Sequence, residues 1–288
     1  MQEKPLLSVV MITYNQEEYI QEAIKGVLLQ ETDFNFEFII ANDSSSDNTD
    51  AIIRKNISQI PDHIDIKYIL HEKNIGAMNN FISCLKQATG KYIAICEGDD
   101  YWIHPKKLQF QSGFLENNND FSLIYHRVKY FKNYTETILP HHQNKNEPQV
   151  FTLKDISKIN FINTPSVVFR NFLVDYDILN LNPKIGDYPL WLFLAEKGKI
   201  QYSPEILAVY REGVGIQSSL SKIKKLENSN EMLLPLLNYF NEKDNKTAEN
   251  ILFQIENNTK KINLYKSYKY RLLMLIYNIQ KAITYYKK

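Results

Sequence analysis

Near the start of the chain apolar residues come in short unbroken runs, and between the runs they recur every three or four positions. Ser8–Thr13, Phe36–Ala41, Ile64–Leu70 and Tyr92–Cys96 have the length and β-branched content of buried strands. Glu17–Gln30 carries Ile20, Ala23, Ile24, Val27 and Leu28 at helical spacing, and Thr49–Ile60 and Ala77–Ala88 read as helices in the same way. Alternation of strand and helix at this pitch predicts a parallel sheet with helices on both faces.

The second hundred residues are less regular. Lys106–Asn117 reads as a helix entered through His104-Pro105, with proline in its tolerated first-turn position. Phe121–Leu139 is strand-rich, and His141–Pro148 is a polar loop. Strands at Ser166–Arg170 and Ile206–Tyr210 flank a helix at Tyr188–Lys197. Beyond about residue 220 strands cease, and two helical stretches are separated by a break at Asn241–Asn245. The organisation expected is an α/β domain over residues 1–220 and a helical extension over 221–288.

A chain of 288 residues that is 44% apolar and 23% charged fits one large α/β domain or two small ones, and excludes disorder and fibrous folds. The net charge of +1 offers no electrostatic footprint for nucleic acid. It conceals an asymmetry: residues 260–288 hold eight Lys or Arg and no acid, so removing that +8 from +1 leaves −7 elsewhere. Within this tail Leu272, Leu275, Ile276, Ile279 and Ile283 follow helical spacing. A basic amphipathic helix suits an anionic membrane surface, and equally suits packing on its own domain. Cys84 and Cys96 lie among apolar neighbours, as small core residues of a reducing compartment do. The first residues lack the pattern of a signal peptide, and no run reaches the eighteen apolar residues of a membrane span. The expectation is a cytoplasmic protein, with any membrane contact peripheral and on the inner face.

Candidate chemistry concentrates where strands end. Glu97-Gly98-Asp99-Asp100-Tyr101-Trp102 follows the Tyr92–Cys96 run directly, in the crevice where open α/β sheets bind ligands. Three acids in four residues repel unless a cation or donor cluster sits among them, and hard divalent cations take carboxylates together with substrate phosphates. The alternative is an acidic turn before the next helix. Thr13-Tyr14-Asn15 and Asn42-Asp43-Ser44-Ser45-Ser46-Asp47 end the first two strands, where Tyr14 and Asp43 offer a flat slot and an edge partner for a nucleotide base. Asp47 reads as a helix N-cap. No Walker-type loop is present, and Gly213-Val214-Gly215 lacks the third glycine of a dinucleotide fingerprint, so phosphates would need a cation and basic side chains. His141-His142 has no cysteine partner for a zinc site.

Together Ser8–Asn15, Asn42–Thr49, Asn74-Ile75-Gly76, Gly90–Trp102 and Lys107–Glu116 resemble the family 2 glycosyltransferases of GT-A fold, in the branch that builds bacterial surface polysaccharides. The resemblance covers about residues 5–215, with the motifs in family order. It implies a mixed α/β sheet flanked by helices, and inverting transfer of a hexosyl or N-acetylhexosaminyl group. The donor would be a nucleotide-sugar, a UDP-sugar above all; the acceptor, a glycan or lipid-linked hydroxyl; the cofactor, Mn²⁺ or Mg²⁺. Position by position it implies donor-base contacts at Thr13, Tyr14, Asn15 and Glu17, a uracil-edge contact at Asp43, and a loop over the nucleotide at Asn74 and Gly76. It further implies Asp100 as metal ligand, Asp99 between metal, ribose and donor sugar, Asp187 as catalytic base, and Arg211 beside the diphosphate on a closing loop.

This chain departs from the pattern at Asn79, where many relatives have arginine, and at Glu212 and Gly213, where a histidine often follows the Tyr-Arg pair. Asp187 also reads as the N-cap of a helix with an early proline, Pro189, and a helix N-terminus lowers a carboxyl pKa, against the needs of a general base. Tyr101 and Trp102 suit sugar stacking or plain packing, and Asn163-Thr164-Pro165 suits acceptor contact or an ordinary loop. Two competing functions share the acidic sheet edge. A sugar-nucleotide nucleotidyltransferase would show a glycine-rich basic loop where Thr13-Tyr14-Asn15-Gln16 stands, and a catalytically silent nucleotide-sugar binder would have no use for Asp187.

Overall fold

In the structure, a computed structural model, residues 5–132, 135–138, 146–172, 187–215 and 220–286 are described, with side chains described as far as residue 268. They fall into two compact units, Met1–Ser219 and Leu220–Lys288. In the first unit β1 (Leu7–Thr13), β2 (Phe36–Asn42), β3 (Ile64–Leu70) and β4 (Tyr92–Ile95) pair in parallel, in the order β3-β2-β1-β4. The helices α1 (Ile20–Leu28), α2 (Thr49–Asn56) and α3 (Ala77–Gln87) connect them. β1, β2 and β4 are buried almost throughout, which explains why they read as continuous runs rather than as alternation, whereas β3, at the sheet edge, is buried only at Ile64.

The strand-start end of this sheet holds a buried charge. Glu37 accepts from Ser8 Oγ at 2.5 Å, from Thr89 N at 2.6 Å and from Lys67 Nζ at 2.5 Å. Burial pushes its pKa up, but the bonds from Lys67, Ser8 and Thr89 outweigh burial and hold it below the ordinary glutamate value. One carboxylate thus ties β1, β2, β3 and the turn entering β4.

After β4 the chain forms β5 (Tyr101–Trp102), α4 (Lys107–Asn117), β6 (Phe121–Lys132), β7 (Thr135–Thr137), β8 (Gln149–Phe151), α5 (Leu153–Ile156), β9 (Val167–Arg170), α6 (Asp187–Lys197) and β10 (Lys199–Arg211). The sheet continues β4-β9-β6-β10-β5, with β9 antiparallel to both neighbours and β5 antiparallel to β10. The first four strands pair in parallel as their alternation with helices predicts, and the sheet as a whole is mixed, as the resemblance implies. Antiparallel neighbours need no helical crossover, and this part of the chain supplies few. Pro105 precedes α4 in a turn, rather than lying within its first turn. Most of His141–Pro148 lies outside the described residues.

The second unit pairs α7 (Lys222–Asn241) with α8 (Asn245–Tyr286). Ser221 caps α7, its Oγ accepting from Lys224 N at 3.2 Å. Leu233, Leu236 and Phe240 of α7 and Ile251 of α8 are buried, while Lys266 meets Glu227 at 3.1 Å. Among the described residues no helix is long and apolar enough to cross a membrane.

In the first unit, helix α1 packs directly on β5. A Cβ added to Gly26 would lie 2.7 Å from the carbonyl oxygen of Trp102 and 2.9 Å from its nitrogen, both backbone atoms that cannot rotate away. Gly26→Ala is therefore expected to destabilise the protein by about 1–3 kcal/mol despite alanine's better helix propensity. A melting temperature lowered by several degrees checks it; an unchanged or raised value would mean that α1 yields without cost.

Candidate active site at the carboxyl edge of the sheet

Strands β1, β2 and β4 end side by side, and their loops are laced together. Thr13, almost fully buried, donates from Oγ1 to Gln16 Oε1 at 2.7 Å. Tyr14 is partly exposed at the edge. Asn15 and Ser44 both have positive φ, 51° and 60°, a costly backbone state for residues other than glycine that is found at functional turns. Asn15 is held there: its Oδ1 accepts from Ser46 N at 2.8 Å and its N–H donates to Ser45 Oγ at 2.9 Å. Glu17 takes the N–H of Asn48 at 2.9 Å, and Asp47 takes those of Glu17 and Thr49, each at 3.0 Å. Asp47 is structural, and Glu17 works beside it as a tie between two loops.

Asp43 is 1% exposed, and its two oxygens accept from Ile75 N at 2.7 Å and Gly76 N at 2.9 Å. Asn74 Oδ1 also accepts from Gly76 N, at 3.0 Å. The loop that follows β3 is thus fastened to the end of β2 through Asp43. Asn79 bonds the carbonyl of Ile75 at 2.8 Å and stabilises the same loop.

Beyond β4 the oxygens of Glu97, Asp99 and Asp100 lie within 4.8 Å of one another. Gly98 makes the turn possible: a Cβ there would sit 2.9 Å from Thr13 Cβ and 2.4 Å from Gln16 Oε1. Gln16 also lies close enough to Asp99 to lower its pKa. Asp100 is 1% exposed; its Oδ1 accepts from the Arg211 main-chain N–H at 2.8 Å, while Oδ2 is buried without a hydrogen-bond partner. Burial, then the neighbouring Asp99 and Glu97 charges, push the Asp100 pKa well above the ordinary aspartate value. Burial raises Asp99 as well, opposed by Arg211 and Gln16. Glu97 is pushed up to about 8 by burial, Asp99 and Asp187, against a hydrogen bond with Thr164. An all-oxygen donor set with one orphaned buried carboxylate oxygen fits a hard divalent cation.

Asp187 opens α6. Its Oδ1 accepts from Tyr188 N at 2.8 Å and its Oδ2 from Asn160 Nδ2 at 3.2 Å. Despite the helix N-terminus its pKa is raised, because burial outweighs those two bonds. This reverses the direction expected from helix position alone. Asp187 lines a cavity of about 260 Å³ with Tyr130, Asn160, Asn163, Thr164 and Tyr210 among others. Thr164, on the wall of this cavity, lowers the Glu97 pKa, and the Asp187 charge raises it.

Two sequence expectations change. Trp102 is 4% exposed, donates from Nε1 to Pro165 O at 2.9 Å and is covered by Lys107 Nζ 4.2 Å from its ring centroid, so it packs the core and presents no face to a sugar. Arg211 ends strand β10 instead of sitting on a closing loop, and it is only 7% exposed. Its Nη1 donates to Asp99 O at 2.6 Å and its Nη2 pairs with Glu22. Gln16, Glu22, Asn160 and Tyr210 join the site without having been singled out in the sequence. Only Gln16, inside the Thr13–Glu17 motif, carried a signal.

The glycosyl transferase family 2 model matches residues 8–180. An uncharacterised Mycobacterium tuberculosis protein is 39% identical over 71% of this chain and 58% of its own length, so this chain matches little more than half of that relative. The Bacillus subtilis protein TuaG, named as a teichuronic acid biosynthesis glycosyltransferase, is 30% identical over 72% of this chain and 79% of its own. Among solved structures, S. aureus TarS in complex with UDP-GlcNAc superposes with a TM-score of 0.65 at 23% identity, covering 89% of this chain and 72% of that one. The fold is GT-A-like.

The acidic cluster fixes a pH dependence. Carboxyls whose folded pKa exceeds the unfolded one bind protons more tightly when folded, so stability falls as pH rises through that window. For Glu97 the window runs from 4.5 to about 8. In chelator the melting temperature is expected to fall between these pH values, with Glu97→Gln flattening the slope and Mn²⁺ raising the melting temperature most at the upper end. A melting temperature that rises across the window in chelator would contradict the buried-carboxyl account.

Proposed function

The chain belongs to glycosyltransferase family 2, and we propose that it moves the sugar of a UDP-sugar onto a hydroxyl of a glycan or lipid-linked saccharide, with inversion at the anomeric carbon. One observation carries this reading. A carboxylate cluster with an unpartnered oxygen on Asp100 stands apart from a second carboxyl of raised pKa, Asp187, which lines a cavity and whose charge is felt at Glu97. Family 2 chemistry needs these two functions apart, one on the leaving group and one on the nucleophile.

On the donor side, Asp43 is an acceptor-only group fixed by two backbone N–H groups, which suits the N3–H of uracil. Thr13, Tyr14 and Asn15 stand beside it, with Asn74 and Gly76 in the loop across from it. The UDP-GlcNAc bound by TarS supports a uridine nucleotide and an N-acetylhexosaminyl or hexosyl group. TuaG's name supports a cell-envelope polysaccharide as the product. Asp99 and Asp100 would hold Mn²⁺ or Mg²⁺, which when bound offsets the charge that grows on the departing diphosphate.

On the acceptor side, Asp187 takes the proton of the attacking hydroxyl. The acceptor oxygen forms its bond to the anomeric carbon as the bond from that carbon to the diphosphate breaks, and UDP leaves with the electron pair. The Tyr188 N–H and Asn160 orient the Asp187 carboxyl, and burial keeps it basic enough to accept the proton. Helix α8 gives this chemistry a place. Its basic, acid-free second half suits the anionic inner face of the cytoplasmic membrane, where lipid-linked acceptors are presented.

Asp187→Asn keeps size and a capping oxygen, so melting temperature and Mn²⁺-dependent UDP affinity are expected to persist while turnover falls about 10²–10⁴-fold. Asp100→Asn is expected to lose Mn²⁺-dependent UDP binding together with turnover. Near-normal transfer by Asp187→Asn, measured with a panel of UDP-sugars and glycan acceptors, would reduce Asp187 to a helix cap.

Truncation after residue 268 is expected to abolish flotation with phosphatidylglycerol vesicles and to spare turnover of a short soluble acceptor. Equal flotation of the full and truncated chains would remove the membrane role.

A further inference from the structure

Arg211 is surrounded on every side by ties to the acidic turn. Its main-chain N–H holds Asp100 Oδ1 at 2.8 Å, and its guanidinium Nη1 holds the carbonyl oxygen of Asp99 at 2.6 Å. The guanidinium carbon lies 4.5 Å from the ring centroid of Tyr101 and 5.1 Å from that of Tyr19. The remaining fork pairs with Glu22 in the first turn of α1. The arginine is 7% exposed, whereas the Glu22 side chain is 54% exposed. A guanidinium clamped between two rings, ion-paired outward and hydrogen-bonded inward has little freedom to reach a ligand.

We propose that Arg211 is a positioning residue, which sets the Asp99–Asp100 turn from behind so that the free Asp100 oxygen faces the cation site, and that Glu22 is the counter-charge that keeps it there. The inference rests on the metal-dependent donor reading above. Glu22 has a second effect. An unpaired arginine beside two carboxylates would compete with a divalent cation for them, and the ion pair with α1 removes that competition.

Charge and positioning predict opposite signs, which makes the proposal testable. Arg211→Met keeps a long side chain between Tyr19 and Tyr101 but deletes the charge and the bond to Asp99. If the arginine acted only through its charge, deleting a cation next to the site would tighten Mn²⁺ binding. If it positions the turn, binding weakens. Titration calorimetry of Mn²⁺ into the full chain at saturating UDP is expected to show Mn²⁺ affinity about 10–100-fold weaker in Arg211→Met, the usual cost of losing a partner of a ligand. Glu22→Gln, at a half-exposed position that leaves folding intact, is expected to weaken Mn²⁺ in the same direction. Its melting temperature should stay close to that of the parent.

Unchanged or tighter Mn²⁺ binding by Arg211→Met overturns the proposal. Should that variant fail to fold, unchanged Mn²⁺ affinity in Glu22→Gln overturns it instead. If the parent protein takes up no Mn²⁺ in the presence of UDP, the metal-dependent reading falls and this inference with it. That outcome is distinct from a parent that binds and variants that bind equally.

Discussion

Three carboxylates whose oxygens lie within 4.8 Å of one another, one of them closed off from water, repel each other throughout the space where β4 ends. The surrounding structure has to hold them against that repulsion. Gly98 lets the turn approach Thr13 and Gln16, the polar groups of Gln16 and Thr164 lower the Asp99 and Glu97 pKa values, and the end of β10 supplies an N–H to Asp100. None of these contacts cancels the charge fully, and the raised pKa values of all three groups express what is left over. The result is a site that favours a proton or a cation.

The opposite end of the same strands solves the same problem differently. Glu37 is equally buried, yet Ser8, Lys67 and Thr89 satisfy it so completely that its pKa falls below normal. Two buried carboxylates on one sheet therefore differ in sign of shift because one has full partners and the other an orphaned oxygen. That contrast separates a fully partnered carboxylate from one left with an orphaned oxygen without reference to motif.

Much of this was legible in the chain. The first four strands and three helices announce themselves by period, and the acid-rich turn by its place after a strand. β5, β8 and α5 are two to four residues long, too short for any periodicity to register. Glu22 and Asn160 join the site only through contacts that span long stretches of sequence, which no local pattern encodes. Asp187 was read correctly in position and wrongly in the direction of its pKa. A helix start is visible in sequence, whereas the burial that overrules it belongs to the folded state. Trp102 failed for the converse reason: an aromatic beside a site is as often a wall stud as a platform, and only packing tells which.

The link between Asp100 and Arg211 joins residues 111 positions apart, and the one between Glu22 and Arg211 spans 189. β1 pairs with β2 across 29 positions and β2 with β3 across 28, and the four parallel strands are complete by residue 95. The sheet can therefore form its first half with the acidic turn present but slack. Only when β10 docks does that turn acquire its final shape. During synthesis the acidic turn emerges early, yet the contacts that hold Asp99 and Asp100 exist only after residue 211 has left the ribosome, so a nascent chain shorter than this lacks the finished geometry of the turn.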